Sequence, residues 1–442
     1  MAPFFFAKRG ALLTPDGRQK LEAAVQSYYQ DRTIRVNSQR IAQQAGLPLD
    51  TTIGILYGQN LTSKRTLKQF FAGFDVTLKR NDFQMVRPER EPRFAAAEED
   101  EPLACVGREA VLAQINQQLQ TECWLVVLSG SSGSGKTTLA QHLISQSALR
   151  DEFPLMITVE LSQLWAGFAA IARQVLGEAI AHKTLEADGM SALAAAVVAK
   201  LQSQPILLWL QNLSPELAQT EPFTQFWSAL LDSEALRSRL LITTTQANFP
   251  PSDRLHTLEL PGLSLDAIAQ LYADWDITLD TEAQRDCLET IHQTYEGHPL
   301  ALKLVAGEIR SFPYFGNLLA YWQDYGYELE ITPTAESGES LARPIQQPIA
   351  PWLQTLGERI LQRLAVHAPL AADLLQLGAT NARPTPAYGW YFLMGEFSAQ
   401  QQATTLKALE ERLLVEPVST AQGVRYGVHP VLRCIITTLN RR

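Results

Sequence analysis

The sequence predicts an α/β fold for the middle of the chain, and the pattern of apolar residues is the main reason. Short apolar runs recur there: "CWLVVLSG" (123–130), "LMITVEL" (155–161), "PILLWL" (205–210) and "RLLITTT" (239–245). A stretch with helical character separates each run from the next. Parallel strands covered on both faces are continuously apolar, whereas strands with one exposed face alternate apolar and polar residues. We therefore predict a parallel sheet with helices on both sides.

Composition divides the 442-residue chain further. Segments 87–103 and 331–350 are charged or contain several prolines and have almost no apolar periodicity, which is typical of linkers. From about residue 263, helical periodicity dominates in "LSLDAIAQLYADW", "TEAQRDCLETIHQTY" and "PLALKLVAGEIR". We predict a helical N-terminal module (1–86), an α/β domain (104–260), an all-α bundle (261–330) and a separate C-terminal domain (351–442).

Charge is distributed unevenly along the chain. Residues 1–93 contain 15 Lys/Arg and 8 Asp/Glu, whereas the remainder contains 22 basic and 38 acidic residues. A basic end predicts either an anionic partner or a merely solvated basic surface, because the sign of charge bears on association and not on fold.

Membrane and metal-binding functions find little support in the sequence. No apolar run approaches the roughly 18–20 residues that span a bilayer, and no basic region precedes the N-terminal "FFF" as it would in a signal peptide. The cysteines form no CxxC pair and have no His at metal-ligand spacing. We expect a cytoplasmic protein without a membrane partner, a disulfide frame or a zinc site.

The strongest motif lies between the first apolar run and the next helix, where residues 130–137 read G-S-S-G-S-G-K-T. This is a complete G-x-x-x-x-G-K-[ST] phosphate loop, whose glycines let backbone N–H groups cradle phosphate oxygens at a helix N-terminus. Lys136 would reach the β- and γ-phosphates, and Thr137 would offer its hydroxyl to Mg²⁺. The alternative is a decayed loop that binds nothing. The predicted nucleotide-binding residues of this loop are Gly130, Ser131, Ser132, Gly133, Ser134, Gly135, Lys136, Thr137 and Thr138.

Five further stretches, in the same order along the chain, resemble the NB-ARC class of STAND nucleotide-binding proteins, which are P-loop NTPases, and the resemblance is to the bacterial type. "CVGREAVLAQI" (105–115) is similar to the motif that opens that domain, "RLLITTT" to its strand ending in Thr-Thr-Arg, and "LELPGLS" (258–264) to its link into a helical domain. "EGHPLALKLVAG" (296–307) is similar to its G-x-P-L-A-L segment, and "LKALEERLLVEPV…VRYGVHPVLRCI" to its winged-helix domain.

The resemblance implies contacts with ADP or ATP outside the phosphate loop. Val106, Gly107 and Arg108 match the opening motif that packs around adenine, and Pro299 matches a proline near the base. His429 corresponds to a winged-helix histidine beside the bound diphosphate, although Pro430 stands where the family has an acidic residue.

The sequence departs from a working NTPase at the end of "PILLWL". P-loop enzymes place an Asp there to hold Mg²⁺, often with a neighbouring carboxylate for the attacking water, but this chain has Gln211 and Asn212. Losing a general base typically forfeits about 10²–10⁴ in rate. The family's arginine after Thr-Thr is also absent. We predict weak or absent hydrolysis, unless an acid such as Glu160 or one from a partner substitutes.

The N-terminal module resembles a small helix-turn-helix DNA-binding domain of bacterial regulators. Thr14 and Pro15 begin one predicted helix, Ser38 caps a second, and Gly46 and Pro48 lie in the turn before a third. The alternative is a protein-docking module with a solvated basic face. The residues predicted to meet duplex DNA are Thr51, Thr52, Lys64, Arg65 and Lys68.

These observations predict a STAND-type switch, with a role in signalling or transcription regulation and a protein partner. Two alternatives remain open: a nucleotide-stabilised scaffold that does not bind DNA, and an active AAA-like ATPase that acts with DNA or protein partners.

Overall fold

The fold is taken from a computed structural model of the chain. It describes residues 10–30, 38–48, 51–52, 55, 62–86, 105–120, 123–161, 167–246, 249, 252–330, 349–381, 383–395, 397–420 and 423–440. The chain forms two compact units. The first comprises Met1–Pro92, Arg310–Phe315 and Leu356–Arg442, and the second comprises Arg93–Ile309 and Gly316–Thr355.

The N-terminal part of the first unit is mainly helical, but two short strands make it other than the all-α module that the sequence predicts. It contains β1 (Gly10–Leu13), α1 (Pro15–Gln30), α2 (Ser38–Ala45), α3 (Lys64–Ala72) and β2 (Phe83–Val86). The Thr14 hydroxyl oxygen accepts a bond from the Gly17 N–H (3.1 Å), as a residue that begins a helix should. Gly46 has a φ of 64°, which glycine adopts without a steric penalty and which ends α2. The antiparallel pair β1–β2, which was not predicted, links the ends of the module.

The second unit contains the predicted parallel sheet, with β3 (Leu125–Ser129), β4 (Leu155–Glu160), β5 (Ile206–Gln211) and β6 (Arg239–Thr243) at the four apolar runs. A fifth strand, β7 (Leu255–Glu259), was not predicted, because its half-exposed residues do not form an apolar run. The strand order is β4-β5-β6-β3-β7, and every neighbouring pair is parallel. The helices of this domain are α4 (Glu109–Leu119), α5 (Lys136–Ser145), α6 (Ser147–Glu152), α7 (Gly167–Leu176), α8 (Glu178–Ser203), α9 (Pro215–Ala218) and α10 (Glu221–Leu231).

Strand β3 shows why the apolar runs are continuous. Its residues Leu125 and Val127 belong to one hydrophobic core, and Val126 and Leu128 belong to a second core on the other face of the sheet. Successive side chains of a strand point to opposite faces, so two covered faces require apolar residues at every position. The prediction of an α/β domain with two covered faces is thus confirmed.

A helical bundle follows the sheet within the second unit. Its helices are α11 (Leu265–Asp274), α12 (Glu282–Thr294), α13 (Pro299–Arg310) and α14 (Leu318–Glu330). The Ser264 side chain caps α11, and Thr281 with Gln284 forms a capping box at the start of α12. The three predicted helical segments therefore form helices at nearly their predicted limits.

The C-terminal part of the first unit combines helices with a β-hairpin. It contains most of α15 (Pro351–His367), then α16 (Pro369–Gly378), β8 (Thr385–Pro386), α17 (Ala387–Phe392), α18 (Ala399–Glu411), β9 (Val415–Thr420), β10 (Gly423–Val428) and α19 (Pro430–Leu439). Strands β8, β10 and β9 form a small antiparallel sheet.

The first unit joins two parts of the chain that the sequence treats as separate modules. Phe392 of α17 lies in one hydrophobic core with Leu21, Ile41 and Phe71 of the N-terminal helices. Sequence patterns cannot show this contact, because a buried aromatic residue gives no indication of which distant segment covers it. No described helix is long and apolar enough to cross a membrane.

Candidate functional site

The phosphate loop lies at the carboxyl edge of the sheet, immediately after β3. Strand β3 is flanked by β6 and β7, so the loop follows an interior strand of the sheet and not one of its two outermost strands. Helix α5 begins at Lys136, which directs the helix N-terminus towards the loop. Crevices at the carboxyl ends of parallel strands are the usual ligand sites of open α/β sheets, and a helix N-terminus there favours an anion.

The loop backbone adopts conformations that require glycine. Gly130, Gly133 and Gly135 have φ values of 148°, 90° and 91°, which residues with a Cβ rarely adopt. A Cβ on Gly133 would also lie 2.8 Å from Leu300 Cβ, closer than real side chains approach. The structure therefore explains the glycines of the motif by backbone geometry, independently of any ligand.

Lys136 is almost completely buried within the loop. Its ammonium donates to the carbonyl oxygens of Gly130 (2.8 Å) and Ser131 (2.7 Å), and it lies 3.4 Å from the Ser134 hydroxyl. No described carboxylate pairs with it. Burial lowers the pKa of Lys136 from its ordinary value to about 8. A desolvated cation held only by neutral oxygens fits an anionic ligand.

The other residues of the motif differ in exposure. Ser132 and Ser134 are buried, Thr137 is half-buried in the first turn of α5, and Ser131 and Thr138 are exposed.

The segment 106–108 lies beside this loop. Arg108 is 5% exposed, and its guanidinium is 3.4 Å from the Ser134 carbonyl oxygen. Burial lowers the pKa of Arg108. Gly107 has a φ of 72°, and a Cβ there would meet Ala267 at 2.4 Å, so the segment packs directly against α11. The prediction places Val106 in the same segment, and the structure shows it half-buried.

The N-terminus of α13 also contacts the loop. The Leu300 N–H donates to the Gly133 carbonyl oxygen (3.3 Å), and the His298 ring nitrogen Nε2 lies 3.1 Å from the Ser132 carbonyl oxygen. Pro299 is close as well, since a Cβ on Gly135 would lie 4.0 Å from its ring. The structure thus brings Pro299 to the phosphate loop. Sequence reasoning missed His298, for which the only available signal was its position before Pro299.

The strand ends opposite the loop carry no carboxylate on β5 or β6. Gln211 ends β5, and Asn212 follows it with a φ of 55°. The Asn212 N–H donates to the Thr243 hydroxyl oxygen (3.1 Å), which ties the tip of β5 to the end of β6. Glu160 ends the neighbouring strand β4 and is exposed.

The remaining predicted site residues lie in the first unit. His429 caps α19, where its Nδ1 accepts a bond from the Val431 N–H (3.2 Å). Lys64, Arg65 and Lys68 are exposed on α3. Thr51 is half-buried, but Thr52 is fully buried and its hydroxyl donates to the Pro48 carbonyl oxygen (3.1 Å). The prediction that Thr52 meets DNA therefore does not fit this structure, because its side chain is enclosed in the module.

Comparison with known proteins agrees with this geometry. Residues 108–250 match the family model of the NB-ARC domain. No curated protein matches the chain significantly. The matched residues include the phosphate loop and strands β3 to β6, and they end before the helical bundle.

Solved structures give more distant similarities. One is a STAND protein with a tetratricopeptide repeat sensor from Pyrococcus horikoshii (17% identity, TM-score 0.47), where the match covers 78% of this chain and 44% of that protein. Another is the Aeropyrum pernix ORC2 protein in ADPNP–ADP complexes (14% identity, TM-score 0.36), covering 78% of this chain and 98% of that one. The Aeropyrum pernix ORC1 protein in complex with DNA gives 14% identity and a TM-score of 0.34, covering 76% and 94%.

The residues that are present fit the diphosphate of a nucleotide. The glycine conformations, the buried ammonium of Lys136 and the N-terminus of α5 meet in one loop, and the family match covers that loop. The α/β domain of this chain is therefore a P-loop nucleotide-binding domain, and its residues 108–250 are similar to the NB-ARC domain.

Proposed function

We propose that the protein is a STAND-type switch that binds ADP or ATP and hydrolyses ATP weakly or not at all. The observation that carries this proposal is the ammonium of Lys136, which is buried in the phosphate loop and bonded only to neutral oxygens there. A charged group is costly to bury without an anionic partner. Nucleotide phosphates supply that partner.

Each part of the site has a role in this proposal. Backbone N–H groups of the loop and the N-terminus of α5 bind phosphate oxygens, and Lys136 leaves its carbonyl partners for the phosphates. The Thr137 hydroxyl is placed to hold Mg²⁺, which neutralises phosphate charge when bound. Arg108 and Pro299 both lie beside the loop, and we expect the adenosine near these residues and Val106. A phosphate contact by His429 stays a prediction.

Weak hydrolysis follows from the chemistry at the end of β5. Neutral amides at Gln211 and Asn212 can hydrogen-bond a hydrated ion, but they cannot take a proton from water at neutral pH. The phosphate loop therefore retains the groups that bind nucleotide, whereas the end of β5 lacks the carboxylates that would promote hydrolysis. Such a protein works as a switch by binding its two nucleotides with different affinity in two packings of the chain.

The test is to denature the purified protein and identify the nucleotide that is released. The variant Lys136→Ala is treated in the same way for comparison. We expect stoichiometric adenine nucleotide from the wild type and little from the variant. A wild type that neither carries nor takes up an adenine nucleotide contradicts the proposal. Tight ADP occupancy with no response to ATP and no DNA affinity supports the scaffold alternative instead.

We further propose duplex DNA as a second ligand of the N-terminal module. The exposed cations Lys64 and Arg65 occupy the first turn of α3, which contains no acidic residue. A helix start favours anions, so cations at this position add to the attraction for phosphate groups. Lys68, Lys79 and Arg80 extend the exposed basic surface.

A further inference from the structure

The phosphate loop is bonded to the helical bundle through two of its carbonyl groups. The Ser132 carbonyl oxygen lies 3.1 Å from the His298 Nε2, and the Gly133 carbonyl oxygen accepts from the Leu300 N–H (3.3 Å). His298 is 7% exposed, and it directly precedes α13. Two successive peptide groups of the loop are therefore held by one helix start.

The hydrogen bonds identify the tautomer of His298. Its Nδ1 lies 3.3 Å from the Ala301 backbone nitrogen, and that N–H can only donate, so Nδ1 is the acceptor. In a neutral imidazole the other nitrogen then carries the proton, and Nε2–H donates to the Ser132 carbonyl oxygen. His298 therefore caps α13 with one nitrogen and holds the phosphate loop with the other.

Neighbouring rings hold the imidazole in this orientation. Trp352 packs against it edge to face, with ring centroids 5.2 Å apart and an interplanar angle of 84°. Tyr295 in turn packs on Trp352 (5.8 Å), and the His298 N–H donates to the Tyr295 carbonyl oxygen (2.8 Å). The ring is thus fixed by packing as well as by its hydrogen bonds.

Fixing a carbonyl also fixes the N–H group of the same peptide. Peptide groups are planar and trans, so the C=O and N–H of one unit point in opposite directions. With the Ser132 and Gly133 carbonyls directed towards α13, the N–H groups of Gly133 and Ser134 are directed away from it, into the loop. The Ser134 N–H donates within the loop, to the Ser131 carbonyl oxygen (3.2 Å). These N–H groups belong to the loop that we propose cradles phosphate.

We propose that His298 is a positioning residue that holds the phosphate loop in its binding conformation and couples nucleotide binding to the helical bundle. This inference rests on the proposed nucleotide-binding function. Because coupling is reciprocal, a bound nucleotide strengthens the attachment of α13 to the loop by the same factor by which His298 strengthens nucleotide binding. The helical bundle therefore senses whether the loop is occupied.

Three variants separate the two bonds of the imidazole. His298→Asn keeps a good helix cap for the Ala301 N–H, but its shorter side chain does not reach the Ser132 carbonyl oxygen. His298→Gln has a longer side chain than His298→Asn, and its amide N–H can still donate to the Ser132 carbonyl oxygen. His298→Ala removes both bonds. The readouts are the Kd for ADP, measured by calorimetry, and thermal unfolding without nucleotide.

We expect His298→Asn to raise the Kd for ADP about two- to tenfold, the worth of one net hydrogen bond, with thermal unfolding close to wild type. His298→Gln should recover most of the affinity, and His298→Ala should lose both affinity and stability. If His298→Asn binds ADP as the wild type does, or if all three variants lose affinity only in proportion to stability, the inference is overturned. A wild type that binds no ADP overturns the proposed function itself, which is a distinct result.

Discussion

Glu160 and Gln211 are register partners at the carboxyl ends of the neighbouring parallel strands β4 and β5. The carboxylate therefore stands at the sheet edge next to the position where P-loop enzymes carry their own acid. Gln211 lies one strand closer to β3, and so to the phosphate loop, than Glu160 does. The position nearer the loop, Gln211, is neutral, and the farther one, Glu160, is charged. This arrangement predicts slow hydrolysis and indicates that an acid at position 211 would restore it.

Replacing Gln211 by Asp should raise ATP turnover in the presence of Mg²⁺. The new carboxylate can hold the metal or accept a proton, which the amide cannot do. We expect an increase of about tenfold or more over a slow wild-type rate, up to the factor of about 10²–10⁴ that a well-placed general base contributes. Phosphate release under single-turnover conditions measures it.

Glu160→Gln is the matched control for this experiment. It should leave the slow wild-type rate unchanged if Glu160 takes no part, and abolish it if Glu160 substitutes for the missing acid. The weak hydrolysis proposed above would be contradicted if the wild type hydrolysed ATP rapidly. In that case Glu160→Gln would leave the rate unchanged and Lys136→Ala would abolish it.

The affinity for ADP should fall as the pH rises above about 8. Burial lowers the pKa of Lys136 to about 8, so the ammonium loses its proton above that pH in the free protein. A bound phosphate favours the charged form, and binding above pH 8 therefore requires proton uptake. The Kd should rise by up to about tenfold per pH unit there, and below pH 8 the charged Lys136 should make no contribution to the pH dependence of the Kd. Calorimetry between about pH 6.5 and about pH 9.5, on both sides of the Lys136 pKa, checks this.

Lys136→Arg tests the assignment, since arginine stays protonated throughout the range. Its Kd, whatever its absolute value, should lack the rise above pH 8. The stability of the nucleotide-free protein should change with pH in the opposite sense to the affinity. The unfolded chain binds the Lys136 proton more tightly than the folded chain, so the free energy of unfolding should increase as the pH rises from about 8 towards the ordinary lysine pKa. A flat affinity profile for the wild type would show that Lys136 does not meet the phosphates.

Gly133→Ala should destabilise the ligand-free protein. The added Cβ meets Leu300 and the His298 ring at 2.8 and 3.0 Å, and the φ of 90° is strained for alanine. We expect about 1–3 kcal/mol for the backbone strain and about 1–3 kcal/mol more for the overpacking. Urea unfolding of the nucleotide-free protein measures the total.

Gly177→Ala separates the two contributions. Gly177 has the same φ of 90°, but a Cβ there meets nothing within 4 Å, and it lies outside the phosphate loop. Only the strain should remain in this variant, so Gly133→Ala should be the less stable by about 1–3 kcal/mol. Equal losses in the two variants would show that α13 does not press against the loop.

Removing the basic side chains of α3 should weaken binding to duplex DNA. The triple substitution Lys64→Ala, Arg65→Ala and Lys68→Ala removes three exposed cations. Each phosphate contact contributes about 0.9 to the slope of log K against log salt concentration, so the slope should fall by about three. Fluorescence anisotropy with a labelled duplex at several salt concentrations measures it.

Lys407→Ala is the control, since it removes an exposed cation that pairs with Glu411 elsewhere in the same unit. Its salt slope should match that of the wild type. A wild type without salt-dependent DNA affinity would favour the protein-docking alternative for this module.

Local signals in the sequence were sufficient for the sheet and the phosphate loop. Strands β3, β5 and β6 are buried over most of their length and are therefore mainly apolar, and the glycines of the loop are required by backbone conformation within a few residues. The strand β7 was missed because its half-exposed residues carry no such pattern. His298 was missed because it occupies the unspecified position of the G-x-P segment, and a single polar residue has no period.

The sequence by itself determined the phosphate loop, the α/β domain and the loss of carboxylates at Gln211 and Asn212, since each depends on residues close together in the chain. Only the tertiary structure decided that His298 holds the Ser132 carbonyl and that Phe392 completes the core of the N-terminal helices. These contacts join residues that are far apart in sequence. Packing selects such pairs by shape and hydrogen-bond geometry in three dimensions, and neither leaves a periodic trace along the chain.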